Sequence, residues 1–229
     1  MDSAPEIPFI FDSDALIQIL LAGQQQIFSI LISDFGVRSF LMNEVDTEIR
    51  SNRKFGSLVK PKLDKALKGQ AIKLLAAADL DRMSSELSNA ISLSDIRELG
   101  MDYGLDVGIG EAHTHAAGVL LNCPTVSNDW NAIRTLQTKG KELPPTVLRS
   151  FDLFGFMFLE NYVGSHESEG ILKELKTQGE WMPPSLRNSS FEVGIREMGC
   201  RLSTSLGVSA SAAGWSAPFF LKRVDPKSR

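Results

Sequence analysis

Cysteine is scarce in this 229-residue chain. The two present, Cys123 and Cys200, have no second cysteine at metal-ligand spacing. A disulfide scaffold and a cysteine-based structural zinc site are therefore not expected. Long apolar runs are lacking too. The longest uncharged stretch, Leu202 to Leu221, is mostly Ser, Ala and Gly with Pro218 inside it, too weakly apolar to span a bilayer. The first residues are acidic, with no apolar run behind them, so no signal peptide is expected. These absences predict a cytoplasmic protein with free thiols and no membrane partner. Positive charge is not in excess either. Lys and Arg number 24 against 28 Asp and Glu, a net charge of −4. That argues against a nucleic-acid coat protein, but not against an enzyme that grips nucleic acid through a local patch. Aromatic residues make up 8% of the chain, and no stacking motif of an RNA-recognition domain is found. There is no internal repeat.

What the chain does have is apolar residues, 43% of the total, enough to require a real core. Pro8 to Phe11, Ser39 to Met42 and Pro124 to Ser127 are short runs that read as strands. The first ends on Asp12 and the third leads through Ser127 to Asp129. Helical patterns are expected over Leu16–Ala22, Glu44–Arg53 with Asn43 as cap, Ala66–Leu80, Glu111–Leu121, Asn131–Thr138, Phe151–Tyr162, Gly170–Gln178 and Ser189–Met198. Short strands alternating with helices predict an α/β fold with a mainly parallel sheet. Such folds place their functional crevice at the carboxyl ends of the strands, where Asp12 and Asp129 would sit.

Charge is unevenly spread. Residues 50–73 are strongly basic, with Asp64 the one acid, and the following stretch to Glu111 is acidic. A positive face beside an acidic centre is expected. Asp12, Glu48, Glu111 and Asp129 can all converge on one sheet edge in a parallel topology. Clustered carboxylates are costly unless something neutralises them, and a divalent cation with oxygen ligands, Mg²⁺ or Mn²⁺, suits them. Asp129 also stands where it would cap the next helix, and Glu44, one turn before Glu48, competes for the same role.

The motifs in order resemble the PIN-domain family of metal-dependent nucleases. Phe9-Ile10-Phe11-Asp12-Ser13 is similar to the family's apolar strand followed by Asp and Ser/Thr. Val45-Asp46-Thr47-Glu48-Ile49 is similar to its Glu-Ile helix, and Gly110-Glu111-Ala112 resembles the helix start of one toxin-like subgroup. Val126-Ser127-Asn128-Asp129 resembles its Ser/Thr-x-Asp strand end. Leu172 to Leu175, Trp181 and a final amphipathic helix resemble the subgroup's C-terminal helices. The resemblance implies a three-layer α/β/α domain over residues 1–201, with a helical insertion around 54–100 and a Ser/Ala-rich extension over 202–229. It implies Asp12, Glu48, Glu111 and Asp129 as catalytic metal ligands for Mg²⁺ or Mn²⁺, and Ser127 as a contact to substrate or water. RNA would be the substrate, hydrolysed endonucleolytically, with a small antitoxin and a second copy of the chain as partners. Arg50, Arg53 and Lys54, nearest to Glu48, are the expected RNA-binding cations.

Other patterns compete. Glu111-Ala112-His113-Thr114-His115 invites a zinc reading, but His113 and His115 lie two apart on a helix and so on different faces. Only Glu111 and His115 share one. Gly108-x-Gly110 lacks the third glycine of a dinucleotide fingerprint. Asp12-Ser13-Asp14 after a strand also resembles the nucleophile motif of haloacid-dehalogenase-like phosphatases, with Lys139 and Lys141 as candidate lysines. That reading leaves Glu48 and Glu111 unused. A PIN-fold regulatory or binding module with an inactive site is the non-enzymatic alternative.

Overall fold

Phe9, Ile10 and Phe11 are consecutive and fully buried. A strand with no exposed face belongs in the middle of a sheet covered on both sides. A computed structural model describes residues 7–84, 90–180 and 182–195, and β1 (Ile7–Phe11) is indeed its central strand. β2 (Val37–Leu41), β3 (Ile72–Leu74), β4 (Thr125–Val126) and β5 (Val147–Leu148) complete an all-parallel sheet in the order β3-β2-β1-β4-β5. Helices flank it, giving a three-layer α/β/α architecture.

The helices are α1 (Ser13–Leu21), α2 (Gln26–Phe35), α3 (Asn43–Ser51), α4 (Gly56–Lys68), α5 (Ala77–Ser84), α6 (Leu93–Tyr103), α7 (Ile109–Leu120), α8 (Trp130–Thr138), α9 (Ser150–Leu159), α10 (Ser165–Thr177) and the short α11 (Pro184–Arg187). α1 and α9 are apolar on nearly every face and lie buried, α9 through Phe151, Leu153, Phe154, Phe156 and Met157. Edge-to-face aromatic pairs join the layers, Phe11 with Phe28 and Phe35 with Phe156. Lys62 of α4 donates to the Leu20 carbonyl at 2.7 Å, which places a cation at the C-terminal end of α1 where the helix dipole favours it. Among the described residues no single helix is long and apolar enough to cross a membrane.

Three expectations fail here. Ala66–Leu80 is not one helix. Gln70 takes a positive φ of 54°, which ends α4, and Ile72 then pairs with Ser39 as the edge strand β3. The stretch 54–100, expected as a helical insertion, thus supplies part of the sheet. The α3 cap is Met42 rather than Asn43, and no side chain caps that end. The extension over 202–229, Trp181 and the end of the last expected helix lie outside the described residues, although 191–195 are helical.

Candidate functional site

The chain leaves β1 for β2 on one side and returns to β4 on the other, so the strand order reverses between β1 and β4. A crevice opens at such a reversal, at the carboxyl ends of the strands. Asp12 ends β1, and its N–H donates to the Val126 carbonyl at 2.9 Å. Beside it, Ser127 and Asp129 leave β4. Asp12 occupies the position of N-cap to α1, yet its side chain makes no cap hydrogen bond. It is only 3% exposed, and its Oδ1 has no hydrogen-bond partner. Burial holds the Asp12 carboxyl well above its usual range. Glu111 and Asp14 push it further, the Ser13 N–H opposes, and Glu48 adds to the rise.

Glu111 reaches the same place from the first turn of α7. Its Oε1 accepts the Ser127 hydroxyl at 2.8 Å and lies 3.3 Å from His115 Nε2, one turn further along the helix. His115 Nδ1 lies 3.4 Å from the Thr125 hydroxyl. Burial depresses the His115 imidazole to about 4, so it is neutral at pH 7. A neutral ring donating from Nε2 to Glu111 accepts the Thr125 hydroxyl at Nδ1, and both contacts are satisfied by one tautomer. Ser127 Oγ in turn accepts the Asp129 N–H at 3.2 Å. Burial raises the Glu111 carboxyl to about 8, the Ser127 bond opposes that, and Asp129, Asp14 and Glu48 add to it. Ser127 has no exposed surface. Its hydroxyl bonds Glu111 Oε1 and accepts the Asp129 N–H, and so orients both.

Glu48 comes from α3, whose Val45 and Ile49 face the core. A Cβ on Gly110 would stand 2.2 Å from Glu48 Oε2, so the glycine before Glu111 lets the Glu48 carboxylate lie against the start of α7. Glu44 does not take this role: its Oε1 pairs with Arg97 of α6 at 3.7 Å. Asp129 caps α8, its Oδ1 accepting the N–H groups of Asn131 and Ala132 at 2.9 and 3.1 Å. The cap uses one carboxylate oxygen and leaves Oδ2. The four predicted acids are therefore brought to one edge, coupled through space and through Ser127.

Sequence reasoning missed Asp14 and Glu180. Asp14 is raised by its partial burial in the cleft wall and then by Glu48, Asp129 and Glu180. A cleft of about 780 Å³ runs past it, lined by the acids Asp14, Asp129 and Glu180 and by the cations Lys54, Arg134 and Arg149. Asp14 carried a signal, an acid two residues after the strand-end Asp12. Glu180 carried none, because it arrives from beyond α10 to accept a bond from Gln18.

The predicted cations fare unequally. Lys54 lines the cleft, bonds the Gly179 carbonyl at 3.2 Å and lies 3.6 Å from Glu180. Arg53 is exposed but does not line the cleft. Arg50 is engaged by Asp46 and Asp64, each at 2.8 Å, so its guanidinium ties α3 to α4. Lys139 and Lys141 pair with Asp106 and Asp102 and stand outside the cleft lining.

Family models, curated proteins and solved structures were each compared with the chain, and none matches it. Among the described residues no three His, Cys, Asp or Glu side chains stand ready as a closed ligand set. Mg²⁺ does not require one, since it is usually held by one or two carboxylates with water completing its shell. The orphaned Asp12 Oδ1, the Asp129 Oδ2 left over by the cap and the elevated Glu111 carboxyl are what a hard cation at this edge would satisfy.

Proposed function

We propose that this chain is a Mg²⁺- or Mn²⁺-dependent endoribonuclease of PIN-like design, acting in the cytoplasm. The observation that carries the reading is Asp12: a buried carboxylate with an unpartnered oxygen, surrounded by Glu111, Asp14 and Glu48. An uncompensated cluster of this kind is costly to fold and is relieved by a cation. Asp12, Glu111 and Asp129 would hold the metal, with Glu48 and Asp14 at its margin. A bound divalent ion there supplies the positive charge that activates water and stabilises charge on a phosphodiester undergoing hydrolysis. The chain's own groups do the positioning. Ser127 and neutral His115 hold Glu111 Oε1 in place, and the cap to α8 fixes Asp129. Lys54 and Arg134 border the cleft where the strand would pass. The test is cleavage of labelled single-stranded RNA with Mn²⁺, Mg²⁺ or EDTA, wild type beside Asp12→Asn. Metal-dependent cleavage that the variant loses is the expected result. Cleavage that survives in a preparation cleared of contaminating nuclease would sink the assignment.

One observation favours a second reading, a binding module with an inactive site. Glu111 already has two partners on Oε1, and with its carboxyl at about 8 it is largely neutral at pH 7 without any metal. Such a network is self-sufficient. A Mn²⁺-induced thermal shift that Asp129→Asn removes would favour the nuclease, and no shift would favour the module.

A further inference from the structure

Trp130 follows Asp129 directly and opens α8. Its ring carries the Arg149 guanidinium at 4.7 Å from the centroid, although Arg149 comes from a different element, the turn between β5 and α9. Both line the cleft, and Arg134, one turn along α8 from Trp130, lines it too. Arg134 is exposed, and among the described residues no acid pairs with it. Two arginines therefore share one wall beside an indole, within a few residues of the acidic edge. Arg149 is half-buried, its guanidinium held below its ordinary range by burial, raised again by Asp152, and lowered by the nearness of Arg134.

A flat ring with a guanidinium plane on it is a stacking platform for a nucleobase. Paired guanidiniums suit a phosphate. We infer that Trp130, Arg149 and Arg134 form a one-nucleotide subsite for single-stranded nucleic acid, stacking the base and holding the phosphate of the nucleotide next to the one at the acidic edge. The inference deepens the nuclease reading and rests on it for direction, since it makes the cleft the path of the strand. It also commits the protein to unpaired substrate. In a duplex the base faces are already stacked and unavailable to Trp130.

The test is fluorescence anisotropy of the full-length chain with fluorescein-labelled oligouridylate, oligothymidylate and a duplex of matched length. It is run in EDTA at low salt, where no cleavage is needed. Trp130→Ala is expected to weaken single-strand binding at least about fivefold, the effect of losing one stacked base, and Trp130→Phe to restore most of it. Arg134→Ala is expected to weaken binding to any sequence and to reduce the slope of log K against log salt by about 0.7. The probe that binds tells whether ribose or deoxyribose strands are taken. If Trp130→Ala does not fold, the exposed Arg134→Ala carries the test alone. Binding within about twofold of wild type for the folded variants, duplex held as tightly as single strand, or no binding of either probe would each overturn the subsite. Failure of the nuclease reading looks different. There the variants still lose binding, but wild type cuts nothing with any metal.

Discussion

Asp12 and Asp152 invite comparison. Each is buried, each stands in or beside the first turn of a helix that follows a strand, and burial lifts each carboxyl above its ordinary range. Their surroundings differ. Asp152 accepts the Arg149 N–H at 2.6 Å, and that bond together with the Arg149 charge pulls it back, leaving it at about 7. Asp12 has an oxygen with no donor, and its charged neighbours are Glu111, Asp14 and Glu48. Burial alone raises both acids. The missing counter-charge is what separates Asp12 from Asp152.

The largest expected effect tests that separation directly. Asp12→Asn should cut metal-dependent RNA cleavage by at least about a hundredfold, the scale of losing a charged group from a pre-organised site. Its melting temperature in EDTA should rise, because one of the mutually repelling carboxylates is gone. Asp152→Ala should do the reverse: cleavage unchanged, with stability lower by about 1 kcal/mol for a lost cap. Melting curves and cleavage time courses on the two variants read both signs. A fall in melting temperature for Asp12→Asn would mean that the cluster is not strained, and the comparison would collapse.

The second prediction follows the same cluster through pH. Glu111 is raised from 4.5 to about 8 on folding, so the folded chain binds a proton more tightly than the unfolded chain. Its stabilising contribution is full below pH 4.5 and is lost as pH rises through about 8. His115, lowered from 6.5 to about 4, works in the opposite sense, but its contribution is complete by pH 6.5. Between pH 6.5 and 8 Glu111 should therefore cost the metal-free protein roughly 1–2 kcal/mol, and Asp152, raised to about 7, adds a smaller loss of the same sign at the low end of that window. Denaturant midpoints across that window measure it. Saturating Mn²⁺ should flatten or invert the slope, because a cation favours the ionised acids. A flat profile without metal would show that Glu111 is not held neutral.

Asp12 was legible in the sequence because an apolar run that stops on an acid marks the carboxyl end of a buried strand in an α/β chain. Asp129 was legible for the same reason. Gly110-Glu111 was visible as a helix start, but why a glycine stands there was not. That reason is the Glu48 carboxylate arriving from α3, and tertiary approach leaves no local periodicity. β3 and β5 went unseen because strands of three and two residues carry no alternation to detect. The middle of the expected Ala66–Leu80 helix was lost to β2, whose open edge offers Ile72 a ladder that helix propensity cannot outweigh. Among the cleft's cations, Arg134 lies four residues after Trp130 and was readable in principle. Arg149 was not, since only the fold brings β5 beside β4.

Gly110→Ala gives a smaller effect with an informative direction. The new methyl meets the far end of Glu48, a flexible side chain that can move aside, and alanine suits a helix better than glycine by about 1 kcal/mol. Stability in EDTA should hold or improve slightly while Mn²⁺ affinity falls severalfold. Thermal melts and a metal titration on one preparation decide it. Unchanged Mn²⁺ affinity would place Glu48 outside the site, leaving Asp12, Glu111 and Asp129 as its acids.

The smallest effect carries the same contrast over to cations. Arg50 is partnered as Asp152 is: Asp46 and Asp64 hold its guanidinium and raise it above its ordinary range. Arg134 has no such acid among the described residues. Arg50→Ala should thus cost the fold at most about 1 kcal/mol, the worth of partly exposed ion pairs, and leave RNA affinity and its salt dependence where they were. Arg134→Ala should alter affinity and leave stability alone. Parallel anisotropy and denaturation series on the two variants separate these outcomes. A reduced salt slope for Arg50→Ala would mean that this arginine leaves its carboxylates for phosphate when RNA arrives. In that case partnership in the free protein would not predict which side chains the ligand uses, for cations or for acids.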